Sequence, residues 1–146
     1  MATIKMFEDL DCWKKARELS KEVYKVTCVG KFARDFKLRD QINAAASSSM
    51  DNIAEGFERG GRNEFVNFLG ISKGSAGEVK SQLYQALDRE YISQAEFDKL
   101  YLLADDVSKL DGGLMEYLNK SMVQGQKFKD RTKQTGNSKQ ETLNKK

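Results

Sequence analysis

The sequence predicts an all-α fold: an antiparallel up-down-up-down four-helix bundle over residues 1–122, followed by a disordered, flexible basic tail over residues 123–146. Three observations predict it. The 146 residues contain no Pro, against an average usage of about 5%, which favours long uninterrupted helices. Four stretches carry apolar residues at spacings of three and four. The connections between them are short, which makes successive helices antiparallel neighbours.

The first segment runs from about Glu8 to Thr27. Leu10, Trp13, Ala16, Ser20, Val23, Tyr24 and Thr27 form its expected core stripe. Lys14, Arg17, Lys21 and Lys25 form a second stripe, with Glu18 and Glu22 beside it. That stripe reads either as a solvated, ion-paired face or as a ridge that meets phosphates.

Residues 28–36 connect it to the second segment, and Gly30 permits the reversal. Phe32 and Phe36 are expected to plug the bundle end. Lys31, Arg34, Lys37 and Arg39 interleave with these aromatics, a pattern that can serve phosphate contact and base stacking. The second segment, about Lys37 to Arg59, carries Leu38, Ile42, Ala45, Ala46, Ser49, Ile53 and Gly56 on one face. Met50 and Phe57 widen that arc enough to meet both its own bundle and a neighbouring subunit.

Gly60-Gly61 breaks the pattern. The third segment keeps Phe65, Phe68, Leu69, Ser72, Ala76, Val79, Leu83, Ala86 and Leu87 in register, with Glu64 in its first turn. Gly70, Gly74 and Gly77 interrupt it, each at about 1 kcal/mol relative to Ala; tight helix crossings are expected to offset that. Ser93 and Glu96 form a capping box for the fourth segment. Its stripe is Phe97, Leu100, Ala104, Val107, Leu110, Leu114 and Leu118, with Gly112-Gly113 as a possible kink.

Composition excludes whole classes of chemistry. There is no His, hence no Ser-His or Cys-His nucleophile pair and none of the commonest metal ligand. Two cysteines, Cys12 and Cys28, cannot build a structural zinc site alone. Their sixteen-residue separation spans about 24 Å of helix, so free thiols in a reducing compartment are expected. Glu55, Glu64 and Glu78, with Arg59, Arg62 and Lys73, read as buried or interfacial ion pairs. No catalytic residue, cofactor or metal is expected. No apolar run is long enough for a membrane span. The first residues lack a signal-peptide progression, so a cytoplasmic protein is expected.

Charge is uneven. Residues 123–146 hold seven basic and two acidic side chains. Lys127, Lys129, Arg131 and Lys133 lead that tail as candidate nucleic-acid contacts, beside those of the first connection. The preceding 122 residues carry a slight negative excess.

Phe7-Glu8-Asp9-Leu10 with Trp13-Lys14-Lys15-Ala16, then Leu38 and Gln41-Ile42, resembles a known bacterial family. Asn52-Ile53-Ala54-Glu55-Gly56-Phe57 and Arg59 resemble its most diagnostic stretch. Glu64-Phe65, Phe68-Leu69, Gly74-Ser75, Glu78, Gln82-Leu83, Ala86 and Tyr91-Ile92 continue the match in order, over roughly residues 6–120. The family is that of the four-helix-bundle proteins found as reading frames within 23S ribosomal RNA intervening sequences. More distantly, the chain looks like accessory proteins of diversity-generating retroelements, which bind nucleic acid through a basic surface and partner a reverse transcriptase. The resemblance implies a homopentameric ring without enzymatic activity. It implies a structural role for Asn52, Glu55, Gly56, Arg59, Glu64, Phe65, Gly74, Ser75 and Glu78. Two departures stand out: Asn43-Ala44 replaces the family's usual basic pair, and the usual Pro is missing from Lys31-Phe32-Ala33.

The expected function is therefore a non-enzymatic oligomer that binds structured RNA or DNA. The alternative is a scaffold that docks a partner protein on the bundle ring.

Overall fold

The computed structural model describes residues 4–132, and side chains as far as residue 121. A 3-10 turn at Phe7–Asp9 leads into α1 (Asp11–Thr27). Then follow the short α2 (Gly30–Arg34), α3 (Phe36–Glu58), α4 (Arg62–Asp88) and α5 (Gln94–Thr132). The long helices pack in a closed cycle: α1 on α3, α3 on α4, α4 on α5, and α5 back on α1. α5 runs through the expected boundary at residue 122 and on to Thr132. Lys133 and the residues after it lie outside those described.

The connections are built by local chemistry. Gly30 and Gly60 take φ of +63° and +83°, a region open to Gly without steric cost. Asp35 caps α3, its Oδ1 accepting from the Leu38 amide at 3.2 Å. The Ser93–Glu96 capping box forms as expected, with reciprocal bonds of 2.8 and 3.1 Å. α4 ends in a Schellman turn: the Tyr91 amide donates to Ala86 at 2.8 Å and the Glu90 amide to Leu87 at 2.9 Å.

The α3 face is the one read from the sequence: Leu38, Ile42, Ala45, Ala46, Ser49, Ile53 and Gly56 are all buried. The α1 face is not. Its buried residues are Cys12, Ala16, Leu19, Val23 and Thr27, while Trp13 and Ser20 are half-buried and Tyr24 is exposed. The core line passes through Cys12 and Leu19 because α1 sits between α3 and α5, and only that line faces both. Phe32 plugs the bundle end and Phe36 does not: Phe32 is fully buried, whereas Phe36 is 63% exposed.

The glycines of α4 also depart from expectation. A Cβ on Gly74 or Gly77 would meet nothing within 4 Å, and one on Gly70 would touch only the end of Met115 at 3.7 Å. Their helix-propensity cost is not offset by close crossings inside this bundle. Among the described glycines Gly56 alone sits at such a crossing, where a Cβ would lie 2.5 Å from the Cβ of Phe68.

Candidate nucleic-acid interface

The spacing of α1 puts Lys14, Arg17, Lys21 and Lys25 opposite its buried line, and all four are exposed. The acids beside them pair with Lys25 and with lysines outside the row. Glu22 binds Lys25 at 3.3 Å and Lys99 at 3.0 Å. Those bonds, Lys99 foremost, hold the Glu22 carboxyl below its ordinary range. Glu18 turns to Lys15 at 3.6 Å. Among the described residues, no carboxylate lies within 4 Å of Lys14, Arg17 or Lys21. The Arg17 guanidinium lies 5.7 Å from the Trp13 ring, which packs edge-on against Phe7 at 5.1 Å.

At the far end of α1 this ridge meets a corner formed with α2 and the start of α3. Lys31, Arg34 and Lys37 are exposed there. Arg39 stacks on Phe36, 4.7 Å from the ring centroid. Its guanidinium also donates to the Ala33 carbonyl and to Asp40, each at 3.1 Å. Tyr24 is 63% exposed. Its phenol pKa is raised, chiefly by the hydrogen bond with Cys28, while the nearby charge of Arg39 pulls the other way.

The corner rests on fixed supports. Asn43 donates to the Thr27 hydroxyl and to the Arg39 carbonyl, both at 2.9 Å. It thus ties α3 to the end of α1. Asp35 accepts from the Tyr91 hydroxyl at 2.7 Å and from Arg89 at 3.0 Å. The Tyr91 bond, more than any other contact, holds the Asp35 carboxyl below its usual range. Tyr91 also packs on Phe32, 5.2 Å between centroids.

The structure separates two groups that the sequence offered together. α5 runs antiparallel to α4, so it leaves the bundle at the end where α1 begins. Lys127, Lys129 and Arg131 fall in that last stretch of helix, whereas the α1–α3 corner lies at the opposite end. The length of α1, about 25 Å at 1.5 Å per residue, stands between them.

The family-motif residues join α3 to α4. Asn52 donates to the Ser48 carbonyl and hydroxyl at 2.7 and 3.1 Å, and Ser48 bonds Ser75 at 2.9 Å. Arg59 binds Glu55 at 2.7 Å, reaches Glu64 at 3.8 Å and lies over Phe68 at 5.0 Å. Phe65 packs edge-on against Phe57 at 5.8 Å. These ion pairs are about half exposed rather than buried. Glu78 is exposed on a groove with Ala44, Ser81 and Gln82. A Cβ on Gly74 would meet nothing within 4 Å.

A buried polar layer escaped the sequence reading. Asp111 is fully buried. Its Oδ2 accepts from Ser72 at 2.6 Å, and Ser72 bonds Ser49 at 2.9 Å. The Cys12 thiol of α1 lies close to the same carboxyl, whose Oδ1 has no hydrogen-bond donor among the described residues. Each of the four long helices therefore supplies one polar side chain to this layer. Burial pushes the Asp111 carboxyl up to about 7, against the opposing pull of Ser72, Cys12 and Lys73. Burial and then the Asp111 charge push the Cys12 thiol up to about 12, which leaves it unreactive. The legible signal was an acid set between Val107 and Leu114 on the core stripe of α5. Beyond this layer a cleft of about 770 Å³ opens at the bundle end, lined by Leu10, Phe57, Phe65, Leu114 and Leu118 among others.

Ser72 and Ser75 bond other side chains of α3 and α5. Among the described residues no group of three potential metal ligands comes together. No described helix is long and apolar enough to cross a membrane.

Comparison with known proteins agrees with the fold. No curated protein matches the chain. It is similar to a protein of unknown function from the S23 ribosomal protein family of Bacteroides thetaiotaomicron, solved by crystallography. The TM-score is 0.66 at 22% identity, covering 72% of this chain and 95% of that one. Residues 8–112 match the family described as 23S rRNA-intervening sequence protein. That span holds the whole diagnostic stretch from Asn52 to Arg59 together with the helices that pack it, and on it the chain belongs to the 23S rRNA-intervening sequence protein family.

Proposed function

We propose that this chain is a non-enzymatic, self-assembling bundle that binds structured RNA or DNA along the outer face of α1. One observation carries the reading: Lys14, Arg17 and Lys21 form an exposed row with no carboxylate in reach among the described residues. Cations left without partners attract a polyphosphate, and the released counterions make such binding steeply salt-dependent. Lys127, Lys129 and Arg131, at the other end of the bundle, make a second and separable contribution.

Replacing Lys14, Arg17 and Lys21 together by Gln tests this by fluorescence anisotropy. The slope of log affinity against log salt should fall by roughly 2–3, at about 0.7–0.9 per phosphate contact. Deleting residues 123–146 should lower the slope independently. A slope unchanged by the triple substitution would remove α1 from the interface.

The assembly rests on the α3–α4 groove. Ala44 and Ser81 are exposed along it, Gly74 stands on the same outward side of α4, and Gln82 has a buried Oε1 with no hydrogen-bond donor among the described residues. A neighbouring subunit packed there would find small side chains and could supply that donor. Five copies is the number that the family resemblance implies. Native mass spectrometry should find an oligomer at micromolar concentration, and Ala44→Arg should reduce it to monomer. A wild-type monomer would refute self-assembly.

A further inference from the structure

We infer that the corner between α1 and α3 is a stacking platform for unpaired nucleotide bases, so that the nucleic acid taken is single-stranded or looped rather than continuous duplex. This rests on the nucleic-acid reading above and specifies its ligand. Tyr24 and Phe36 are each 63% exposed, and neither is needed to close the bundle, because Phe32 does that from full burial. Both stand on anchored backbone: Tyr24 in the last turn of α1, Phe36 in the first turn of α3, with Asn43 bonding both Thr27 and the Arg39 carbonyl. Arg39 lies between the two. It stacks on Phe36 at 4.7 Å and is held by the Ala33 carbonyl and Asp40. A ring and a guanidinium fixed in this way lose little freedom when a flat base settles on them.

The surroundings favour a nucleic acid over an apolar partner. Lys25, Lys31, Arg34 and Lys37 flank the two aromatics along the chain and are exposed. Asp40 takes up part of the Arg39 charge, so the corner offers stacking and its cationic rim offers phosphate contact. Tyr24 follows Lys21 by three residues and Arg17 by seven, which places it on the same face of α1 as the basic row. The distance from Tyr24 back to Lys14 is about 15 Å along the helix. A strand whose bases stack at the corner can therefore run its phosphates back along that row. A duplex keeps its base faces inside the helical stack and can use only the row.

The test compares an unstructured RNA 12-mer with a blunt duplex of the same length, at about 50 mM salt. A 2-aminopurine in the single strand reports stacking by loss of its fluorescence. Wild type should favour the single strand by at least ten-fold and quench the probe. Tyr24→Ala with Phe36→Ala should cost the single strand on the order of ten-fold or more per ring. Duplex affinity and salt slope should stay as they were. Tyr24→Phe with Phe36→Tyr should retain binding. Equal affinity for both ligands, or an equal loss on both in the alanine variant, would overturn the inference and leave the nucleic-acid reading standing. No binding of either ligand at this salt would overturn the reading itself.

Discussion

Between about pH 4 and pH 7 the wild-type protein should lose up to roughly 4 kcal/mol of stability, and Asp111→Asn should remove most of that loss. The cause is the buried carboxyl. Its folded pKa is about 7 against an ordinary 3.8. Each unit is worth 1.36 kcal/mol. The folded state binds this proton more tightly than the unfolded state does. Stability is therefore at its full value below the unfolded pKa, and it falls as the pH rises towards the folded one. Lys73 is the cation that acts on Asp111 through charge, and its pull does not outweigh burial.

Asparagine keeps the shape and cannot ionise, but its amide adds a donor to a site furnished with Ser72, Ser49 and Cys12. An unpartnered donor there costs about 1–3 kcal/mol. The two stability curves should therefore cross, with wild type ahead near pH 4 and the variant ahead above about pH 7.5. A further acid limb belongs to both proteins. Asp35 and Asp105 are held below their ordinary range, Asp35 by Tyr91 first and Asp105 by Lys80 first. Their stabilisation is lost as the pH falls through those lowered values. The difference between the curves isolates Asp111. Urea denaturation across the range measures it, and parallel curves would show that Asp111 is ionised throughout.

Gly56→Ala should cost about 2–3 kcal/mol, and Gly56→Leu should prevent native packing of α3 on α4. The new Cβ would stand 2.5 Å from the Cβ of Phe68 and 3.1 Å from the Phe65 ring. The first of these is fixed to the backbone of α4, so relief requires the helices to separate rather than a side chain to turn, and forced overpacking is destabilising. Gly113→Ala is the matched control. Nothing lies within 4 Å of its Cβ position, so the substitution should gain about 1 kcal/mol of helix propensity. Equal melting temperatures for Gly56→Ala and wild type would refute the close crossing.

Most of the architecture was legible in the residues. Helix ends were written in short signals: the Ser93–Glu96 box and the glycines at 30 and 60. The buried face of α3 could be read position by position, because small and apolar residues there follow one line and the opposite face is polar. α2 was missed because five residues carry no period. On α1 the aromatics misled. Trp13 and Tyr24 fall at core-like spacing, yet the line through Cys12 and Leu19 is the one buried.

The candidate site was half legible. Its basic residues were all named from the sequence, yet which of them share a surface was not. The basic row of α1 meets the α2–α3 corner, while the basic residues of late α5 lie at the other end of the bundle. Phe32 and Phe36, four residues apart, carry the same side chain to opposite fates. Asp111 was passed over because an acid in an apolar stripe gives no sign of whether its neighbours will solvate it.

The sequence by itself determined the four long helices, their order, the bundle they form and the charge each one carries. Periodicity reports only a side chain's direction about its own helix axis, and that suffices for these. Tertiary structure alone decided what each direction meets. It set Ser49, Ser72, Cys12 and Asp111 in one buried layer, left Gly74 and Gly77 open, and put Tyr24 and Phe36 in solvent around Arg39. Those outcomes depend on where neighbouring axes cross, a relation between segments far apart in the chain that no local pattern encodes.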